Sequence, residues 1–315
     1  MSKLTTLKKL WSNNRRLIVI AVFNNINHTG LFRCLSDKRF ISLAYYINTG
    51  KRMNWRSPQT FTQKLQWLKI HDRTPKFTKM VDKISAKEYV ASTIGEEYVI
   101  PTLGVWNSFD EIDFALLPDQ FVLKTNNGSG SNGVVVCKDK SSLDKKTARE
   151  LLNSSLSSNT YELLREWPYK NIAPKLFAEE FITDNSAEEE KADLTDYKFF
   201  CFNGVPSYCQ VIKDRSSKET IDFFDSNWEH QPFIGLNPQA VSSTTPIQKP
   251  AMYFKMLSIA RTLSEGLPFA RIDLYQTGKK IYFGEITFYP ASGFGRFSPD
   301  EYDRILGDMI KLPNY

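Results

Sequence analysis

The chain has 315 residues, 41% hydrophobic and 13% aromatic, enough for one large or two to three small lobes around real cores, which excludes intrinsic disorder. Lys and Arg exceed Asp and Glu by 41 to 35, a net charge of +6, which suits acidic substrates, nucleotides or an anionic membrane surface and singles out none. Cys34, Cys137, Cys201 and Cys209 lack metal-binding spacing and His28, His71 and His230 lie far apart, so free thiols in a reducing cytosol are expected and a zinc site is not.

Lys3, Lys8, Lys9, Arg15 and Arg16 precede an apolar run at 17–23. The charge order resembles a signal peptide, but the run is too short to span a bilayer and no small-residue cleavage site follows. Two readings stay open: a terminal helix docked on the body, or a basic amphipathic segment on the inner membrane face. Residues 1–56 read as a basic helical segment separable from catalysis, since every chemical motif lies downstream.

Beyond Ser57-Pro58, Thr60 and Gln63 form a capping box, with Phe61, Leu65 and Leu68 at helical spacing to residue 71. A helix at 83–94 closes on Gly95. Extended runs at 98–101 and 104–106 precede a strand at 120–124. The stretch 125–133, TNNGSGSNG, separates that strand from another at 134–138. Strand, glycine loop, strand is not the order of a P-loop or a Rossmann turn, and Lys124 precedes the loop instead of lying inside it. A loop over phosphates and a plain hairpin loop both fit. Ser141 with Asp144 predicts a helix cap, and the helix runs to 156. A strand at 176–182 carries Glu179 and Glu180, acids that need a reason inside an apolar run, while 188–190 reads as a solvated acidic loop. Strands at 197–202 and 207–213 join through Asn203-Gly204, and another strand follows at 219–224. A helix at 252–264 turns Phe254, Leu257 and Leu263 inward.

Strands at 269–275 and 280–287 close a hairpin across Gln276-Thr277-Gly278-Lys279. Alternation puts Arg271, Asp273 and Tyr275 on one face and Ala270, Ile272 and Leu274 on the other; on the return strand Glu285 and Thr287 share a face. Facing carboxylates repel unless a cation or a protein base compensates, and oxygen donors from adjacent strands suit Mg²⁺. Removing either acid should then relieve repulsion and leave the fold as stable or more so. Solvated acids on a surface hairpin are the alternative.

Seven segments in order, FTQKLQWLK, MVDKISAKEYV, IPTLGVW, LPDQFVLKTNNGSGSNG, EWPYKNIAPKLFAEEFI, DYKFFCFNGVP and FARIDLY with GEITFYPASGFG, resemble the ATP-grasp superfamily. The likeness is closer to its TupA-like branch, found in teichuronopeptide and capsular polysaccharide gene clusters, and runs from about Pro58 to the C-terminus. It implies an α+β ATP-grasp fold: two α+β lobes with antiparallel sheets clamping ATP, at 119–182 and 183–315. A small α/β region at 57–118 and the helical segment 1–56 precede them. Lys83 is similar to the lysine that reaches the α-phosphate, and Lys124 to the second nucleotide lysine, with a part in catalysis. Gly128, Ser129, Gly130 and Gly133 resemble the phosphate-covering loop. Glu179, Glu180 and Ile182 resemble the hinge strand that meets adenine and ribose, and Lys198 joins the nucleotide contacts. Asp273 and Glu285 match the Mg²⁺ carboxylates and Arg271 the catalytic arginine. Thr287 stands where the superfamily often has Asn, and Asn127 where the branch carries His.

The implied activity is ATP-dependent carboxylate–amine ligation through an acyl phosphate, in the cytoplasm or at the inner face of the membrane. The implied partners are a uronic acid of a saccharide or nucleotide sugar and an amine such as an amino acid, with no nucleic acid. Pro290-Ala291-Ser292-Gly293 would lie where the acceptor enters, with Arg296 on a carboxylate; a plain turn with a solvated Arg is the alternative. A glycosyltransferase would want a DxD motif, which the sequence lacks; a phosphotransferase needs only the ATP half.

Overall fold

A computed structural model describes residues 3–128, 133–183, 194–215, 217–237 and 240–313, the side chains of 3–15 excepted. The acidic run 188–190 lies outside the described residues. Helices α1 (Lys3–His28) and α2 (Asp37–Thr49) meet through Phe23, Phe32 and Phe40, in a cluster that also takes Ile70 and Phe294. Thr60 caps α3 (Phe61–His71) by accepting from the Gln63 amide at 3.3 Å, while Gln63 Oε1 accepts from the Gln59 amide at 2.8 Å. A short helix the spacing did not suggest, α4 (Pro75–Val81), starts with proline at its first position, where no amide donor is needed. Asp82 caps α5 (Lys83–Ile94). The extended run expected at 98–101 overlaps a 3-10 turn, Glu96–Tyr98, at its first residue, and Val99 after it is extended.

The first sheet contains β1 (Thr102–Trp106), β2 (Phe121–Thr125), β3 (Val134–Cys137) and β4 (Leu176–Glu180), antiparallel in the order β1-β4-β2-β3. Helix α6 (Lys145–Ser157) covers it, Ala148 and Leu152 meeting Phe121, Leu123 and Leu176. Its cap is Asp144 alone, accepting from the Lys146 and Thr147 amides; Ser141 belongs to a preceding 3-10 turn. The short α7 (Thr160–Leu164) follows α6.

The second sheet orders β10-β9-β5-β6-β7, again antiparallel: β5 (Asp196–Phe202), β6 (Val205–Lys213), β7 (Thr220–Asp225), β9 (Phe269–Thr277) and β10 (Lys280–Thr287). A separate pair joins β8 (Ile234–Leu236) to β11 (Arg296–Ser298). Helices α8 (Tyr253–Leu263) and α9 (Tyr302–Met309) complete the chain. Asn203 and Gly204 both take left-handed φ, 50° and 78°, which closes the β5–β6 hairpin in two residues.

The two faces of this sheet differ. Phe199 and Cys201 look toward α8, with Phe199 against Tyr253 and Cys201 Sγ near Ala260 O. Register puts Phe200, Phe202, Phe269 and Lys198 with Asp273 on the other face. Its apolar half is covered by α3, the Phe61 ring lying 4.9 Å from Phe269 and 6.3 Å from Phe202; the charged half faces a cleft. The buried line of α8 is Tyr253, Met256, Ile259, Ala260 and Leu263. Phe254 is 66% exposed, contrary to the expected inward turn: helical spacing admits two phases, and packing of Tyr253 on the sheet selects one. Nor does 57–118 stand alone among the described residues, since β1 joins the first sheet and Phe61, Leu65, Met80 and Val90 share a core with the second.

Candidate active site

Between the sheets lies a cleft of about 450 Å³. Lys83, Lys87, Lys124, Lys198, Arg215 and Arg271 line it against Glu179, Asp196, Asp273 and Glu285, a surplus of cations beside an apolar wall that includes Ile100, Phe177 and Ile212. Such a lining suits a polyanion carrying a flat apolar group.

The β9–β10 hairpin supplies the acids. From the turn, strict pairing would set Gly284 opposite Asp273, but the register shifts between Phe283 and Glu285 and brings Glu285 opposite Asp273 and Thr287 opposite Arg271. A bulge at glycine therefore makes the two carboxylates face each other. They are not a bare pair. Arg271 donates from Nε and Nη2 to Asp273 at 2.7 Å each, and from Nη2 to Glu285 Oε1 at 2.8 Å and to Thr287 Oγ1 at 3.1 Å. Lys198 donates to Asp273 as well and lies 3.2 Å from Asp196. Burial would raise the Glu285 carboxyl, yet Arg271, Lys83 and Lys198 hold it at about 2. Burial does raise Asp273 against the pull of Arg271 and Lys198. Burial works against the Arg271 charge, but Asp273 and Glu285 raise its pKa overall. Protein bases thus already compensate the acids, which overturns the expectation that deleting one would relieve repulsion.

Lys83 and Lys87, one turn apart on α5, reach the opposite wall. Lys83 Nζ donates to the Gly128 carbonyl, Lys124 Nζ to Glu179, and Lys87 Nζ lies 2.9 Å from Glu179 Oε2. Burial pushes both α5 ammonium groups down, against Glu285 for Lys83 and Glu179 for Lys87. Glu179 is buried, which would raise it, but Lys124 and Lys87 hold it below the ordinary range. Gly133 closes the glycine stretch at φ +78°, where a Cβ would come within 2.2 Å of Ser155 Oγ and 2.4 Å of Thr125 Oγ1; only glycine fits. Ser129 and Gly130 lie outside the described residues. Asn127 turns from the cleft to donate to Ser158 O at 3.1 Å.

The structure thus gathers Lys83, Lys124, Glu179, Lys198, Arg271, Asp273 and Glu285 on one cleft. Glu180, next along the strand, points to the other face and is exposed, and Ile182 lies past the end of β4, outside the cleft lining. Thr287 keeps its hydroxyl between Arg271 and Glu285. Arg296 donates to Asn48 O at 2.9 Å, which ties it to the N-terminal helices rather than to an acceptor. Nor is 290–293 a plain turn. Ala291 and Ser292 hold left-handed φ of 48° and 52°; Gln66 and Lys69 donate to the Ser292 carbonyl at 2.9 and 2.8 Å, Ser292 Oγ donates to Glu166 at 2.6 Å, and Ala291 reaches the cleft wall. Lys87, Asp196 and Arg215 were missed. Lys87 was legible as the i+4 partner of Lys83, and Asp196 as the alternation partner of Lys198.

Among the described residues no three His, Cys, Asp or Glu converge as a metal cage. Two facing carboxylates still fit Mg²⁺, which keeps water and phosphate oxygens for its other positions.

A family profile described as TupA-like ATPgrasp matches residues 63–311. No curated protein matches. Solved structures with some likeness include D-alanine–D-alanine ligase from Bacillus anthracis complexed with ATP, at 13% identity over 72% of this chain and 55% of that one, TM-score 0.37. The same enzyme from Helicobacter pylori shows 17% identity over 74% and 61%, TM-score 0.35. A RimK domain protein ATP-grasp from Sphaerobacter thermophilus shows 12% identity over 74% and 69%, TM-score 0.38. The chain thus spans only about half of the first ligase's length. Since that one profile covers residues 63–311, well over half of the sequence, this chain belongs to the TupA-like ATP-grasp family.

Proposed function

We propose that this protein is an ATP-dependent carboxylate–amine ligase that forms an amide through an acyl phosphate. The observation that carries the proposal is the cleft in which six cations surround two facing carboxylates beside an apolar wall. Asp273 and Glu285 would hold Mg²⁺, which neutralises phosphate oxygens when bound. Lys83 and Lys124 would spread the remaining phosphate charge. Arg271, already between the acids, would steady the phosphoryl group as charge develops. In the first step a carboxylate oxygen attacks the γ-phosphorus and ADP leaves. In the second an amine nitrogen attacks the acyl carbon, phosphate leaves with the former carboxylate oxygen, and the amine proton passes to solvent.

The substrate class we propose is a uronic acid carboxylate of a surface polysaccharide or of its nucleotide-sugar precursor, joined to an amino acid or another amine. The support is the branch's association with teichuronopeptide and capsule clusters, and the setting is cytoplasmic, where ATP is supplied. The test is incubation with ATP, Mg²⁺ and panels of uronic acids and amines, followed by mass spectrometry. ADP together with an amide is the expected result. AMP would replace the acyl phosphate by an adenylate, and ADP with a phosphorylated acceptor would make the enzyme a phosphotransferase.

A further inference from the structure

We propose that the N-terminal helix pair is a docking surface for an anionic lipid bilayer, with α1 lying in the plane of the interface. On α1 the inward line is Arg16, Ile20, Phe23 and Asn27, spaced four, three and four residues apart as one helix face demands. The opposite face is apolar as well: Ile18 is 63% exposed, Leu17 55% and Val22 51%, with Ile26 beside them and Leu31 just beyond the helix. From Leu17 to Phe23 the helix is apolar all round, yet only one side is packed, on α2 and the turn Leu31–Cys34. No described helix is long and apolar enough to cross a membrane, so this face can rest on a bilayer but not thread it.

Charge selects the occupant. Residues 1–56 hold eleven of the 41 Lys and Arg against a single acid, Asp37, while the rest of the chain holds 30 against 34 Asp and Glu. Five of those cations, Lys3, Lys8, Lys9, Arg15 and Arg16, directly precede the apolar stretch. An apolar stripe with an adjoining excess of cations is what binds a helix flat to anionic headgroups. A second copy on the same face would instead bring two such cationic segments together. The inference stands apart from the ligase reading, since no cleft residue enters it.

The test is co-sedimentation of the full chain with vesicles of phosphatidylcholine alone or mixed equally with phosphatidylglycerol. Binding is expected only to the mixed vesicles, and weakening with salt. Ile18→Glu with Val22→Glu, and separately Lys8→Glu with Lys9→Glu, should each lower the partition by about tenfold or more, with soluble ATP turnover and melting unchanged. No binding to mixed vesicles, equal binding to neutral ones, or parental binding by both double variants would overturn the proposal. So would a dimer of the parent that Ile18→Glu dissociates, which would assign the face to a second copy.

Discussion

The clearest test of the cleft's electrostatics is Asp273→Ala. Seen as one of two facing acids, Asp273 should be dispensable for stability, and its loss should help. The structure reverses the sign. Asp273 is buried and accepts from Arg271 twice at 2.7 Å and from Lys198, against one repulsion from Glu285 across the strands. At an effective dielectric constant near 20, each contact at about 4 Å between charge centres is worth roughly 4 kcal/mol. Two attractions against one repulsion of similar size leave about 4 kcal/mol; the removed carboxylate recovers its own desolvation, but Arg271 and Lys198 stay buried with a partner fewer, and a net loss of about 4 kcal/mol lies within the range for breaking one side of a buried pair. Arg271 keeps Glu285 and Lys198 keeps Asp196, which limits the damage. At about 2 °C per kcal/mol for a chain of this size, the variant should melt roughly 8 °C lower without metal or nucleotide, and should lose turnover. The assay is calorimetric melting of parent, Asp273→Ala and Asp273→Asn at neutral pH. A variant that melts at or above the parent would show that the two acids repel more than the bases hold them, and the account of Arg271 as their counter-ion would fall.

Other outcomes follow from neighbouring contacts. Lys124→Ala should weaken ATP binding sharply in titration calorimetry while the fold persists, because Glu179 keeps Lys87 at 2.9 Å; unchanged affinity would refute the phosphate role. Gly133→Ala should lower the melting temperature by several degrees, since a Cβ meets Ser155 and Thr125 oxygens at 2.2 and 2.4 Å on a left-handed backbone; a neutral result would mean that the loop end relaxes freely. Burial pushes the Lys69 ammonium to about 8 against the pull of Glu166. From there up to the ordinary lysine value the folded chain binds fewer protons than the unfolded one, so stability should rise with pH across that window. Lys69→Met should rise less steeply, since Lys83 and Lys87, also pushed down by burial, still contribute, and parallel pH profiles for the two proteins would contradict the Lys69 share.

What the sequence made legible was local. The helix Lys83–Ile94, its closing glycine and the alternating faces of β9 follow from capping and from a period of two. Contacts between elements were not legible. That Arg271 would bridge both acids depends on a bulge at Gly284, and one glycine in a strand does not announce whether it bulges. Phe254 and Tyr253 fit the periodicity of α8 equally well until a sheet is placed beneath them. The separation of Glu179 from Glu180 was open to inspection, since neighbours on a strand point to opposite faces; the resemblance grouped them as a segment, and the backbone parts them.

The N-terminal 56 residues show the same division between local and distant information. Their basic, motif-free sequence suggests a removable segment, but the structure joins them to the cleft through side chains. The Asp37 carboxylate accepts from Arg73 at 2.5 Å and from the Tyr161 hydroxyl at 3.1 Å, with Arg165 at 3.4 Å, and Asn27 donates to Leu163 O at 2.8 Å. Phe23 and Phe40 share a core with Ile70 and Phe294. Ile70 follows Lys69 on α3, whose ammonium holds the Ser292 carbonyl, and Phe294 leaves the same strained turn on its other side. That turn carries Ala291 into the cleft wall. Deleting α1 and α2 would therefore strip apolar cover from both supports of the turn and leave buried Arg165 without Asp37. A segment without a chemical motif can still bear on the shape of the site, because Phe294, which it covers, stands three positions from Ala291 in the cleft wall.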